Sequence, residues 1–212
     1  MLYITIIAII SGLFPYLAYR ILKKGIRKDV SSILPFLLLS FWASVYELVF
    51  IIILKVPATY WIIVYNVFAY LAISYYFTNL LNGLHRRYIQ AAFVFFMMIL
   101  LGVVLKWDAN DFLELSSFMD AFQTIFVSLF SILWFRASFA KAKLESFSKV
   151  PDFYFVTGLL LYYCGTIVLF LSSNQLYQED PSSFEYYWLV NVVLNVVLRL
   201  FLIVGIWKAM DQ

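Results

Sequence analysis

Three ionisable side chains stand inside otherwise apolar stretches of this sequence: Glu47, Asp120 and Arg199. In hydrocarbon such groups are costly, face a bundle interior or a wet cavity, and mark ion pairs, proton relays or ligand contacts. Polar residues recur around them at helical spacing. Asn191, Asn195 and Arg199 follow one another every four residues and stack on one helix face. Asn66, Tyr70, Ser74 and Thr78 repeat that interval, and Ser117, Asp120, Thr124, Ser128 and Ser131 run at intervals of three and four. Ser40, Ser44 and Glu47 form a shorter stripe, as do Tyr162 and Thr166 beside the small Gly158 and Gly165. Such a set recognises charge and hydrogen-bonding groups on a buried ligand. Glu47, Asp120 and Arg199 would supply charge contacts, Asn66, Asn191 and Asn195 hydrogen bonds, and Tyr70 and Tyr162 the wall. The competing reading is structural, because buried Ser, Thr and Asn also bond helices to one another in membranes. Arg199 paired with Glu47 or Asp120 would then lock the bundle.

Hydrolytic and metal chemistry find no support here. The chain has one His, His85, and one Cys, Cys164, so neither a multi-histidine site nor a Cys-rich cluster can be built. No phosphate-binding glycine loop and no H-E-x-x-H pattern occurs. The expectation is a protein that is not an enzyme and carries no cofactor or metal.

The elements that position these residues follow from composition. Of 212 residues, 65% are hydrophobic and 13% charged, and the mean hydropathy is +0.92. A soluble domain is about a quarter charged, so this surface requires lipid as its solvent. A membrane helix needs about 20 mostly apolar residues, and seven segments qualify: 3–22, 32–54, 59–82, 88–106, 115–136, 153–173 and 186–207. The predicted fold is therefore one all-α integral membrane domain, a seven-transmembrane-helix bundle over residues 1–212. The fourth segment has no polar residue beyond Gln90 near its start, which puts it against lipid while segments 2, 3, 5, 6 and 7 enclose a polar centre. Pro15 and Pro35 are expected to kink the first two segments.

Lys and Arg collect in cytoplasmic loops. Twelve basic residues fall on one side, in the 1–2, 3–4 and 5–6 connections and at Lys208, against Lys55 and Lys106 on the other. The N-terminus is accordingly expected outside and the C-terminus in the cytoplasm. The first segment has no charged residue before it and no small-residue cleavage site after it, so it reads as a retained helix. Connections are short, leaving no room for a soluble catalytic or nucleic-acid-binding domain. His85, Arg86, Arg87, Lys141 and Lys143 are left as a cytoplasmic docking surface for a protein partner. Besides the bilayer, the expected partners are such a protein or a second copy of the chain, and a small-molecule or lipid ligand. The Phe-, Ile- and Tyr-rich composition suggests a bacterial inner membrane.

Phe41-Trp42-Ala43-Ser44-Val45-Tyr46-Glu47-Leu48, followed by Tyr60-Trp61 and Tyr65-Asn66, resembles the seven-helix sensor modules at the N-terminus of some bacterial histidine kinases. The resemblance covers segments 2 and 3, about a quarter of the chain. It implies a membrane sensor whose inter-helix cavity binds a signal. No kinase sequence accompanies it here, so such a sensor is expected to act through a separate protein. The alternative expectation is a small-solute transporter or an oligomeric channel that uses the same polar interior. A retinal protein is disfavoured, because Arg199 stands where the last helix would need its lysine.

Overall fold

Within a bilayer the backbone has no water to bond, so each apolar segment must satisfy its own N–H and C=O groups as a helix. The computed structural model describes residues 2–22, 28–56, 59–81, 86–105, 112–141, 149–179 and 181–210, and every regular element among them is helical. The helices are α1 (Leu2–Ser11), α2 (Phe14–Leu22), α3 (Leu34–Tyr46), α4 (Thr59–Leu80), α5 (Arg86–Leu105), α6 (Phe112–Lys141), α7 (Pro151–Glu179) and α8 (Pro181–Lys208). A 3₁₀ turn, Lys28–Ile33, leads into α3, and a π-helical stretch, Glu47–Ile53, continues it. Among the described residues, six stretches are long and apolar enough to cross a membrane: Ile4–Leu22, Val30–Ile53, Trp61–Leu80, Ser117–Ala140, Pro151–Ser172 and Tyr186–Lys208. These coincide with six of the seven expected segments. The remaining one corresponds to α5, a helix of 20 residues.

Several boundaries differ from expectation. Helix α6 runs on to Lys141, α7 to Glu179, and α8 starts at Pro181. The apolar pattern marks the hydrocarbon thickness, whereas the backbone ladder continues into the polar layers; 28 residues of α8 reach about 42 Å. The first segment is not one helix. Pro15 has no N–H to give the Ser11 carbonyl, and its ring crowds that carbonyl. The chain therefore tightens at the break, where the Gly12 N–H donates to the Ile9 carbonyl at 3.0 Å and the Leu13 N–H to the Ile10 carbonyl at 3.1 Å. The Ala8 carbonyl, the usual partner of the Gly12 N–H, is released. Pro35 does not kink its segment; it occupies the first turn of α3, where a missing N–H costs nothing.

The helices close into a ring. Helix α2 touches α3 and α8, α8 touches α7, α7 touches α6, α6 touches α4, and α4 returns to α3. The tightest pair is α7 with α8. Gly158 faces Phe201, Gly165 faces Leu194 and Gly205 faces Phe155, each so closely that an added Cβ would overlap the partner side chain. Small residues permit that approach in membranes, where packing rather than hydrophobicity joins helices. Helix α5 lies outside the ring against α4 and α6. Its Phe96 is buried, while Val94, Phe95, Met98, Leu101 and Leu105 are exposed, in keeping with the peripheral place expected of the fourth segment. The core on this side is aromatic: Tyr70 stacks on Phe96 at 4.0 Å between ring centroids, and Phe126 packs on Phe130 at 4.6 Å. Toward the other end of α4, the Tyr76 hydroxyl donates to Asp152 at 2.9 Å and ties α4 to the start of α7.

Candidate functional site

The ring encloses a cavity of about 140 Å³ walled by α3, α4, α6, α7, α8 and the start of the π-helical stretch. Glu47, Asn66, Asp120, Tyr162, Asn191, Asn195 and Arg199 all line it. Seven of the eight side chains picked out by their spacing thus meet around one space, contributed by five of the predicted segments. The volume is room for several waters or a small polar group.

The side chains are held by bonds between helices. The Tyr162 hydroxyl donates to the Asn191 side-chain carbonyl at 3.1 Å, joining α7 to α8. The Gln123 amide donates to the Asn66 backbone carbonyl at 2.8 Å, and the Tyr163 hydroxyl donates to the Gln123 side-chain carbonyl at 3.0 Å. Gln123 is fully buried and so couples α4, α6 and α7 directly behind the cavity wall. The Ser117 hydroxyl donates to the Phe170 carbonyl at 2.7 Å, a further tie between α6 and α7.

Among the described residues Arg199 pairs at contact distance with neither Glu47 nor Asp120, the two partners that the sequence leaves open. Its Nη1 donates instead to the Ala8 carbonyl and, at 3.1 Å, to the Ser11 hydroxyl, which itself donates to the Ala8 carbonyl at 2.7 Å. The acceptor is the carbonyl released by the break between α1 and α2, at the negative end of the α1 dipole. A Cβ on Gly12 would overlap the Ser44 hydroxyl and come within 2.7 Å of the Arg199 guanidinium. Only a glycine leaves the guanidinium this seat. Glu47 and Asp120 line the same cavity as Arg199. The Arg199 Nε is fully buried and finds no acceptor among the described residues.

Tyr70 is the exception. It is buried among Phe93, Phe96, Phe122 and Phe126 between α4, α5 and α6 and does not line the cavity. Four residues beyond Asn66, its ring has turned toward α5, where aromatic packing outweighs the wet interior. The positions it was expected to fill belong to Tyr65, Trp61, Tyr163 and Trp188. Of the docking residues, Arg86 and Arg87 are exposed at the start of α5 and Lys141 ends α6. His85 and Lys143 lie outside the described residues.

Among the described residues no three His, Cys, Asp or Glu side chains cluster as a metal site would require. The chain matches no family model, no curated protein and no solved structure. The functional reading rests on the cavity itself: both signs of charge, three asparagines and a wall of Tyr and Trp rings around one space.

Proposed function

We propose that the chain is a receptor-like or accessory membrane protein that binds a small or lipidic ligand in this cavity and acts through a separate protein partner. The single observation that carries the reading is the convergence of seven polar side chains from five predicted segments on one small space. The sequence resemblance to histidine-kinase sensor modules supports the same reading, since Glu47, Trp61, Tyr65 and Asn66, which carry it, all line the cavity. Arg86 and Arg87, exposed at the start of α5, offer the partner a charged surface.

With α5 as the seventh span, the chain begins outside and ends in the cytoplasm of a bacterial inner membrane, where helical bundles rather than barrels reside. The twelve-to-two asymmetry of Lys and Arg supports this orientation. In a Cys164→Ser background, cysteines placed at 25 and 145 should resist a membrane-impermeant thiol reagent on intact cells, and one at 109 should react. Labelling at 25 and 109 together would overturn the seven-span count.

One observation favours a second reading, a small-solute transporter. The break between α1 and α2 sets a half-helix end against Arg199, a residue of the cavity lining, and discontinuous helices build substrate sites in transporters. Purification from the native membrane in mild detergent separates the two. A stoichiometric protein partner is the expected result. Isolation alone, with solute flux in proteoliposomes abolished by Arg199→Ala, would replace the receptor by a transporter.

A further inference from the structure

A second, larger space shares Trp61 with the polar cavity. A groove of about 500 Å³ runs between α3 and α4 on the face turned away from the ring, lined by Pro35, Leu38, Trp42, Val64, Phe68 and their neighbours, none of them charged. Trp42 and Phe68 are more than half exposed there, so the groove opens sideways to the hydrocarbon. Along α4 its lining extends from Trp61 to Tyr75, about 21 Å at the helical rise and some two thirds of the hydrocarbon thickness. Trp61 lines both spaces. Its ring is clamped by Tyr46, stacked on it at 4.1 Å, with Phe50 stacked on Tyr46 at 4.7 Å.

The two volumes differ in kind. Pockets for whole drug-sized molecules run to several hundred Å³, so 140 Å³ of polar space holds only a head group. The apolar groove is several times larger and has nothing to offer a head group. A small polar space and a long apolar one on either side of Trp61 are together complementary to an amphiphile with one chain. The polar space also specifies the head. Glu47 and Asp120 are carboxylates that line the space together with the rings of Trp61, Tyr65 and Tyr162, which suits an ammonium group. Arg199, the one Lys or Arg in the lining, suits an anionic oxygen. A head bearing an ammonium and a phosphate satisfies both.

We propose that the ligand is a single-chain zwitterionic phospholipid entering from the bilayer, its ammonium–phosphate head in the cavity and its acyl chain in the α3–α4 groove, with Trp61 between them. The inference rests on the ligand-binding reading above and names the ligand class. Native mass spectrometry of the purified full chain in a non-phospholipid detergent tests it with four probes. Lysophosphatidylethanolamine should bind. Glycerophosphoethanolamine, which lacks the chain, lysophosphatidic acid, which lacks the ammonium, and dodecylamine, which lacks the phosphate, should each bind about tenfold more weakly or worse, the worth of one good contact. Filling the groove by Val64→Trp should weaken lysophosphatidylethanolamine to the level of the chainless probe. Glu47→Gln with Asp120→Asn should remove the preference over lysophosphatidic acid. Equal binding of the chainless probe would overturn the groove, equal binding of lysophosphatidic acid would overturn the ammonium site, and binding of none would overturn the inference. The receptor reading falls separately, through the absence of a partner on purification.

Discussion

Arg199→Met lowers the midpoint of thermal unfolding by about 5–10 °C, the size of a loss of about 2–3 kcal/mol in a chain of this length. The guanidinium is buried and donates to the Ala8 carbonyl and the Ser11 hydroxyl, and bonds from charged donors contribute about 1.5–3 kcal/mol each. Two effects keep the loss from being larger. Met no longer buries a charge, and the Ala8 carbonyl keeps the Ser11 hydroxyl at 2.7 Å. What the variant cannot repair is Glu47, a carboxylate left lining the cavity without the cation that shares it. Adding Glu47→Gln to Arg199→Met should therefore recover about 1 kcal/mol, a coupling of the size seen between residues in one network. Arg199→Lys should fall short of wild type, because a single ammonium cannot reproduce the guanidinium's planar fork. Unchanged stability in Arg199→Met, or strict additivity with Glu47→Gln, would mean that the α1 break and α8 are not held together by this residue.

The reasons for these effects were only partly legible in the sequence. Spacing of polar residues in apolar helices located seven cavity side chains, because hydrocarbon drives such groups to the interior and the helical repeat puts them on one face. The partner of Arg199 was not legible. It is a backbone carbonyl, released by a proline four positions after Ser11, and sequence patterns report side chains rather than orphaned backbone groups. Pro15 did announce a kink, but nothing in the sequence says what an opened carbonyl will meet. Tyr70 erred in the opposite direction, since spacing cannot distinguish a face turned to water from one turned to a cluster of Phe rings. Trp61 and Trp188 stand near segment ends, where interfacial anchors belong, yet both also line the cavity. An anchor's ring is long enough to serve at the membrane surface and at a nearby wall.

Gln123 was missed although its signal was available, three residues beyond Asp120 on the same stripe. Its consequence is the second large effect. Gln123→Leu keeps the volume but strands the Tyr163 hydroxyl, which is buried and bonds to the Gln123 carbonyl at 3.0 Å. It also removes the 2.8 Å bond to the Asn66 carbonyl. A buried polar group without a partner costs about 1–3 kcal/mol, so the midpoint should fall by about 4–8 °C. Replacing both partners is nearly neutral where replacing one is not. Tyr163→Phe combined with Gln123→Leu should therefore unfold above Gln123→Leu alone, a reversal that simple loss of packing would not produce. Asn66 and Tyr163 line the cavity while Gln123 stands behind it. The single variant should thus also weaken lysophosphatidylethanolamine without touching it, and the double variant should recover the fold more fully than the affinity. If Gln123→Leu lowers stability and leaves binding unchanged, the α4–α6–α7 tie holds the bundle together but does not shape its cavity.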